Sequence, residues 1–279
     1  MLELPEAKVT SGQLSGTIVG KTIRMVEANK SPHKFAFFSG DPAAYHGLLV
    51  GRQVTAAEPL AGQIEISAGN MRLVLSDGVN LRYFAGGENG PGKHQLRIEF
   101  DDDSSIVCTI QMYGMLWAFK TGENDNPYYR VAREKPSPLS DGFDADYFRG
   151  ILAGAKPTLS IKALLATEQR IPGLGNGVLQ DILFNARLHP RTKLEALSQA
   201  EKTGLFDSVK QTLQDMTIKG GRDTEKDLFG NNGGYSTILS NKTLDKPCPR
   251  CGGGIIRQAY LGGNVYFCPA CQPITREQS

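Results

Sequence analysis

Pro247-Cys248-Pro249-Arg250-Cys251-Gly252-Gly253-Gly254, answered further on by Phe267-Cys268-Pro269-Ala270-Cys271, decides the C-terminal fold of this chain. The spacing is Cys-x2-Cys-x16-Cys-x2-Cys. Each Cys-x2-Cys turn aims two thiolates at one point, and two such turns complete the tetrahedron that zinc prefers. The surrounding Gly and Pro leave too little apolar material for a free-standing hairpin. A bound metal would therefore supply folding free energy of roughly 10 kcal/mol or more. Two disulfides are the alternative, but paired turns of this kind suit metal better and no secretion signal is read ahead of them. The expectation is a structural zinc ribbon holding one Zn2+ through Cys248, Cys251, Cys268 and Cys271. With all four positions filled, none is left for a reacting water.

Working outward, 279 residues with 40% hydrophobic content suit two domains with packed cores. No stretch approaches the roughly 18 apolar residues of a membrane span. The opening Met1-Leu2-Glu3-Leu4-Pro5-Glu6 lacks the basic flank and apolar run of a secretion signal, so a cytoplasmic home is expected. Cys108, alone in an apolar run, reads as a buried reduced thiol. A net charge of +2 is only mildly basic. A nucleic-acid binder would need its Lys and Arg gathered on one face.

From about residue 15 to 120 the chain is rich in strands and turns. Gln63-Ile64-Glu65-Ile66, Met71-Arg72-Leu73-Val74-Leu75 and Gln95-Leu96-Arg97-Ile98-Glu99-Phe100 alternate between apolar and polar residues. Ala68-Gly69-Asn70, Ser76-Asp77-Gly78 and Asp101-Asp102-Asp103 supply turns between them. Asn126-Pro127 and Lys135-Pro136-Ser137-Pro138 break the periodicity and predict a linker over 126–139. Helical patterning follows, with Ser140-Asp141 and Ser160 as caps. The expected order is a β-domain over 1–125, the linker, a helical domain over 140–240 and the ribbon over 241–279.

Ile171-Pro172-Gly173-Leu174-Gly175-Asn176-Gly177 interrupts two helical segments with three glycines. Such a turn offers bare backbone N–H groups, Gly175 among them, at the start of the next helix, where the dipole favours a phosphate. Asn176 adds a side-chain donor, and Lys162, one helix upstream, can reach a phosphate. A tight helix–helix connection and a solvated lysine are the plainer readings of the same residues.

Three blocks together resemble the formamidopyrimidine-DNA glycosylase and endonuclease VIII family over nearly the full length of the chain. They are Glu3-Leu4-Pro5-Glu6, the run Pro172-Gly173-Leu174-Gly175-Asn176 with His189-Pro190, and the four-cysteine ribbon. The resemblance implies an α+β multidomain fold: an N-terminal helix on a two-sheet β-sandwich, then a helix–two-turn–helix domain with a C-terminal zinc ribbon. It also implies double-stranded, lesion-containing DNA as partner, held between the two domains. A monomer with no nucleotide cofactor and no membrane is implied, associated with the nucleoid when on DNA.

The resemblance assigns an acid/base role to Glu3 and a second carboxylate to Glu6. First-turn acids that complement the helix dipole are the ordinary alternative. The family's nucleophilic N-terminal proline is matched by Leu2, which leaves the Met1 amine as the nearest substitute and puts the lyase step in doubt. Asn70, in Gly69-Asn70-Met71, is matched to a lysine that touches DNA. Thr109-Ile110-Gln111-Met112-Tyr113-Gly114 is matched to a loop that fills the gap left by an everted base. Its two arginines are missing, while Gln111 and Tyr113 can still hydrogen-bond and wedge a base step. The hairpin arginine is missing from Gly263-Asn264-Val265-Tyr266-Phe267. Gly220-Gly221-Arg222-Asp223-Thr224-Glu225-Lys226-Asp227-Leu228-Phe229-Gly230 occupies the place of a mobile loop over the base, with Arg222 or Asp223 as a reader of its edge and a solvated loop as the plain alternative. His33, in Ser31-Pro32-His33-Lys34-Phe35, is a further loop residue that can face DNA. The expected function is a base-excision repair DNA glycosylase, and the alternative is a non-catalytic damaged-DNA-binding protein.

Overall fold

In the computed structural model, which describes residues 1–274, the chain forms two compact units. The first comprises Met1–Arg133 together with Lys219–Gly234; the second comprises Glu134–Ile218 and the chain from Tyr235 onward.

In the first unit, helix α1 (Leu4–Thr17) begins with Pro5, whose missing N–H costs nothing in a first turn. Ala7 and Leu14, two turns apart, face the core, and small Ser11 between them lets the helix sit close to the strands. The strands are β1 (Ile23–Ala28), β2 (Ala36–Phe38), β3 (Val54–Leu60), β4 (Gln63–Ala68), β5 (Met71–Phe84), β6 (Leu96–Phe100) and β7 (Ser105–Lys120). A short helix α2 (Tyr45–Leu49) packs against β1. Hydrogen bonds run in the order β1-β6-β7-β5-β4-β3, with β2 parallel to β7. The two layers of the expected sandwich are thus joined into one sheet. β5 and β7 are long enough to serve both: the first half of β5 pairs with β4, and the second half lies where β7 pairs with β6. The change of layer falls at a register shift between Asp77 and Val79. Gly78 is required there, because a Cβ would lie 2.4 Å from the Tyr113 carbonyl oxygen. Ile23, Val54, Ile66, Leu73, Ile98, Phe100 and Ile106 close one core between the layers.

Part of the expected linker is helical. Helix α3 (Pro127–Glu134) reaches Glu65 of β4. Tyr129 Oη donates to Glu65 at 2.5 Å and Arg133 Nη1 at 3.0 Å, so Glu65 is buried although the alternation marks it as outward-facing. Over Glu65 the cover is a hydrogen-bonded ion pair, which periodicity does not reveal.

The second unit contains α4 (Ala145–Ala153), α5 (Ile161–Ala166), α6 (Asn176–Asn185), α7 (Gln199–Ile218) and the hairpin β8 (Ile256–Tyr260) with β9 (Gly263–Phe267). The cap of α4 is Asp144, whose Oδ1 accepts from Tyr147 N at 2.8 Å, rather than Ser140 or Asp141. Ser160 caps α5 as expected. No helix among the described residues is long and apolar enough to cross a membrane.

Candidate functional site

The start of α1 lies against the segment Lys219–Gly234. Left-handed backbone at Gly220 and Gly221 (φ 78° and 94°) turns the chain so that Arg222 points at α1. Its Nε and Nη2 lie 2.9 and 2.8 Å from the two oxygens of Glu6, a bidentate pair, and the Arg222 backbone N–H adds a third bond to Glu6. Arg222 Nη1 is 3.6 Å from Glu3 Oε2. The three residues are 3–5% exposed. Burial alone would disfavour the guanidinium charge, but Glu3 and Glu6 more than offset it and hold Arg222 firmly protonated. The reading of Arg222 as a contact to a base edge is therefore corrected: its donors are engaged with Glu6 and Glu3. The sequence hid this because the pair spans 216 residues.

The same segment is fastened at four further points. Met1 N pairs with Glu225, Gln13 Nε2 donates to Asp227, Gln13 Oε1 accepts from Leu228 N, and Leu228 is fully buried in the core of this unit. The loop expected to be mobile is instead built into the β-domain unit. Together with α1 and the Gly78 register shift it encloses a cavity of about 280 Å3, lined by Met1, Leu2, Glu6, Gly78, Gln111 and Glu225 among others. Gln111 and Met112 reach this cavity, and Tyr113 follows them on the exposed part of β7. Asn70 does not join them. It sits in the β4–β5 turn, bonded to Arg52, seven residues and about 23 Å of strand before Asp77.

Asp77 is the residue that sequence reading passed over as a mere turn. It holds φ 59°, its carbonyl accepts from Leu2 N at 2.7 Å, and its carboxylate accepts from Ser76 and Tyr128. Burial raises its pKa above the ordinary aspartate value, against the opposing pull of those two hydroxyls. The charges of Asp77 and Glu3, after burial, also raise the pKa of Tyr113. A half-buried carboxylate at positive φ, next to the cavity-lining Gly78, was the signal, and it is visible only in three dimensions.

In the second unit, Gly175 caps α6 with extended backbone and no side-chain bond. Asn176 Nδ2 donates to Asn264 O at 2.9 Å and Lys162 Nζ to Tyr260 O at 2.6 Å. Both expected phosphate ligands are thus tied to the β8–β9 turn, and burial lowers the Lys162 pKa. Arg191, not singled out from sequence, lies over the Tyr260 ring at 4.4 Å. Gln180 Oε1 accepts from Tyr266 N, and buried Asp181 accepts from the N–H groups of Ile238 and Leu239, fastening the hairpin region to α6.

The four ribbon sulfurs lie within 4.8 Å of one another, with Cys248–Cys271 at 3.8 Å and Cys251–Cys268 at 3.5 Å. A tetrahedron with metal–sulfur bonds near 2.3 Å has edges of about 3.8 Å, so the donor set fits one metal ion. No disulfide joins them. Left-handed Gly252 (φ 75°) and the bond from its N–H to Cys248 O close the first turn. Cys108 is buried, as expected, and burial pushes its thiol pKa up.

Comparison with known proteins places this geometry in context. A model of the formamidopyrimidine-DNA glycosylase H2TH domain matches residues 135–227. The formamidopyrimidine-DNA glycosylase of Lactobacillus delbrueckii subsp. bulgaricus is 27% identical over 281 residues, covering 98% of this chain and 99% of that protein. That of Mycobacteroides abscessus is 29% identical over 290 residues, covering 98% of each. Among solved structures, the MutM (Fpg) protein of Thermus thermophilus superposes with a TM-score of 0.81 at 23% identity, over 98% of this chain and 99% of that one. Lactococcus lactis Fpg in complex with DNA containing N7-benzyl-Fapy-dG gives 0.83 at 26%, over 97% and 99%.

Proposed function

We propose that this chain is a member of the formamidopyrimidine-DNA glycosylase and endonuclease VIII family and a base-excision repair glycosylase that binds duplex DNA and releases a damaged base by hydrolysis. The observation that carries the reading is the buried Glu3–Arg222–Glu6 cluster beside the cavity at the start of α1. Glu3 is the proton acceptor. It takes a proton from a water as the water oxygen bonds to C1′ of the sugar, the C1′–N bond breaks, and the departing base is protonated from solvent. Glu6 is the fixed carboxylate, and Arg222 supports both by neutralising one of their two charges. Strand nicking through a Schiff base is not part of the proposal: Leu2 stands at the matching proline position, and the Met1 amine is engaged by Glu225. Gly175, Asn176 and Lys162 bind backbone phosphate, while Gln111 and Tyr113 stand at the vacated base step. Cys248, Cys251, Cys268 and Cys271 hold zinc, which fixes the hairpin and takes no part in the reaction.

The test is cleavage of duplex oligonucleotides carrying a panel of single lesions, each sample split with and without hot alkali. The expected result is breakage only after alkali, with Glu3→Gln slower by about 100-fold or more. A fully active Glu3→Gln would sink the assignment. A second reading is favoured by one observation, that Arg222 ties both carboxylates into a buried ion cluster. Lesion binding with no turnover by the parent protein would make it a damaged-DNA-binding protein.

A further inference from the structure

Strand β2 runs parallel to β7 with Ala36 opposite Gly114, Phe37 opposite Met115 and Phe38 opposite Leu116. Side chains alternate across a sheet, so the register sorts them into two faces. Phe38 meets the ring of Tyr45 at 5.6 Å and Leu116 is fully buried, which makes theirs the inner face. Phe37 and Met115 share the outer face, and Phe35 and Tyr113, two residues earlier on each chain, continue it. Further along that face, α3 supplies a cover: Trp117, Phe119 and Met115 pack with Tyr129, whose ring lies 5.2 Å from Phe119. The cover stops short. Phe35 is 45% exposed, Phe37 47%, and Met112, at the corner leading to the cavity, 63%. Single exposed apolar side chains are ordinary, but an adjoining aromatic set on one sheet face is not.

We propose that this uncovered face, formed by Phe35, Phe37 and Tyr113, stacks the unpaired bases of a single DNA strand whose neighbouring nucleotide enters the cavity. Two observations select that occupant. The face sets a cation against a π surface: Lys34 Nζ lies 5.2 Å from the Phe35 ring centroid, and the His33 ring meets the same ring edge-on at 6.2 Å. A strand carrying flat bases and phosphates satisfies both kinds of group at once. The spacing also favours an extended strand. Alternate residues of a β-strand are about 6.6 Å apart, roughly twice the 3.4 Å step of a duplex strand. The face adjoins the cavity where Tyr113 follows Met112, which lines it. The inference rests on the DNA-glycosylase reading and deepens it: in the bound duplex, the strand beside the lesion is locally unpaired and its bases lie on this face.

The experiment is fluorescence anisotropy with an undamaged oligothymidine, an oligouridine and a lesion-containing duplex, on the parent and on Phe35→Ala/Phe37→Ala. Both side chains are exposed, so folding is not at risk, and an unchanged melting temperature checks this. The double variant is expected to lose oligothymidine affinity by about tenfold or more, from base–aromatic stacking, and duplex affinity by much less. Phe37→Trp is expected to keep oligothymidine affinity and Phe37→Leu to lose it, which separates stacking from apolar burial. Parent-like oligothymidine binding by the double variant overturns the proposal. So does tighter binding of oligouridine, which would make the partner RNA. Self-association of the parent that the double variant abolishes would make the face a contact between copies, and overturns it equally. Failure of the glycosylase reading is distinguishable: a parent that binds no DNA ends both proposals, whereas lesion binding with an indifferent aromatic face ends only this one.

Discussion

The segment Lys219–Gly234 and the cysteine ribbon are both short of apolar residues, yet each is fixed on its own unit by a different force. The first inserts one leucine, Leu228, into a core and otherwise relies on charge: Arg222 to Glu6 and Glu3, Met1 to Glu225, Asp227 to Gln13. The ribbon gathers four thiolates at a point and buries Val265, Phe267, Cys248 and Cys268 beside α6. One is tied by pairs distant in sequence, the other by a repeated local spacing. The difference teaches what each can tolerate. A metal cluster fails as a whole when one ligand goes, while a set of ion pairs loses members one at a time.

The largest effect is therefore expected in the ribbon. Cys251→Ser, or removal of metal by a strong chelator, should forfeit roughly 10 kcal/mol or more of local folding free energy. Limited proteolysis should then cut within 241–274 while the β-domain unit stays resistant, and a colorimetric assay should find about one zinc released per chain. Resistance of the ribbon after complete chelation would break the comparison. On the other side of it, Arg222→Ala should cost about 3–5 kcal/mol in urea unfolding, because Glu3 and Glu6 remain buried without their cation. Glu6→Gln combined with Arg222→Leu should recover most of that loss. A cost for Arg222→Ala below about 1 kcal/mol would mean that Leu228 and Gln13 hold the segment alone.

The contrast also explains what could be read from the chain before its structure. The four cysteines and the Gly175-Asn176 turn are legible because their geometry is set within a few residues, where spacing and backbone preference decide. Alternation likewise located β4, β5 and β6, but could not show that Glu65 lies beneath Arg133, nor that β5 and β7 pass through both layers. Arg222 is the sharpest case. Five charges of alternating sign look like a solvated loop, and nothing local distinguishes the one whose partner sits 216 residues away. Asn70 shows another limit: matching a turn by its glycine says nothing of how far along β5 the turn lies from the cavity.

A smaller effect is expected in DNA binding. Gln111 and Gly263 stand where guanidinium groups are expected from the family resemblance, and Lys162 and Asn176 are partly occupied by the β8–β9 turn. Fewer phosphates are neutralised, so the slope of log affinity against log salt for a lesion duplex should be shallower than about −6. Gly263→Arg should steepen it by about one, because a Cβ there meets the Asn176 side chain only at an ordinary 3.5 Å. An unchanged slope would place the hairpin turn away from the backbone.

The smallest expected effect concerns Asp77, which joins the N-terminal segment to the register shift of β5. Burial raises its pKa in the folded state above the unfolded aspartate value. The folded chain therefore binds this proton more readily than the unfolded one, and stability falls as pH rises from the unfolded value through the folded one. Its contribution is full below about pH 4 and lost at neutral pH, the reverse of a salt-bridged carboxylate. Asp77→Asn keeps the shape and tolerates the left-handed backbone while removing the titration. The melting temperature of the variant relative to the parent should then be higher at pH 7 than at pH 4. A difference independent of pH would make Asp77 a backbone residue only. The opposite sign would mean that its carboxylate is stabilised in the folded state by a cation.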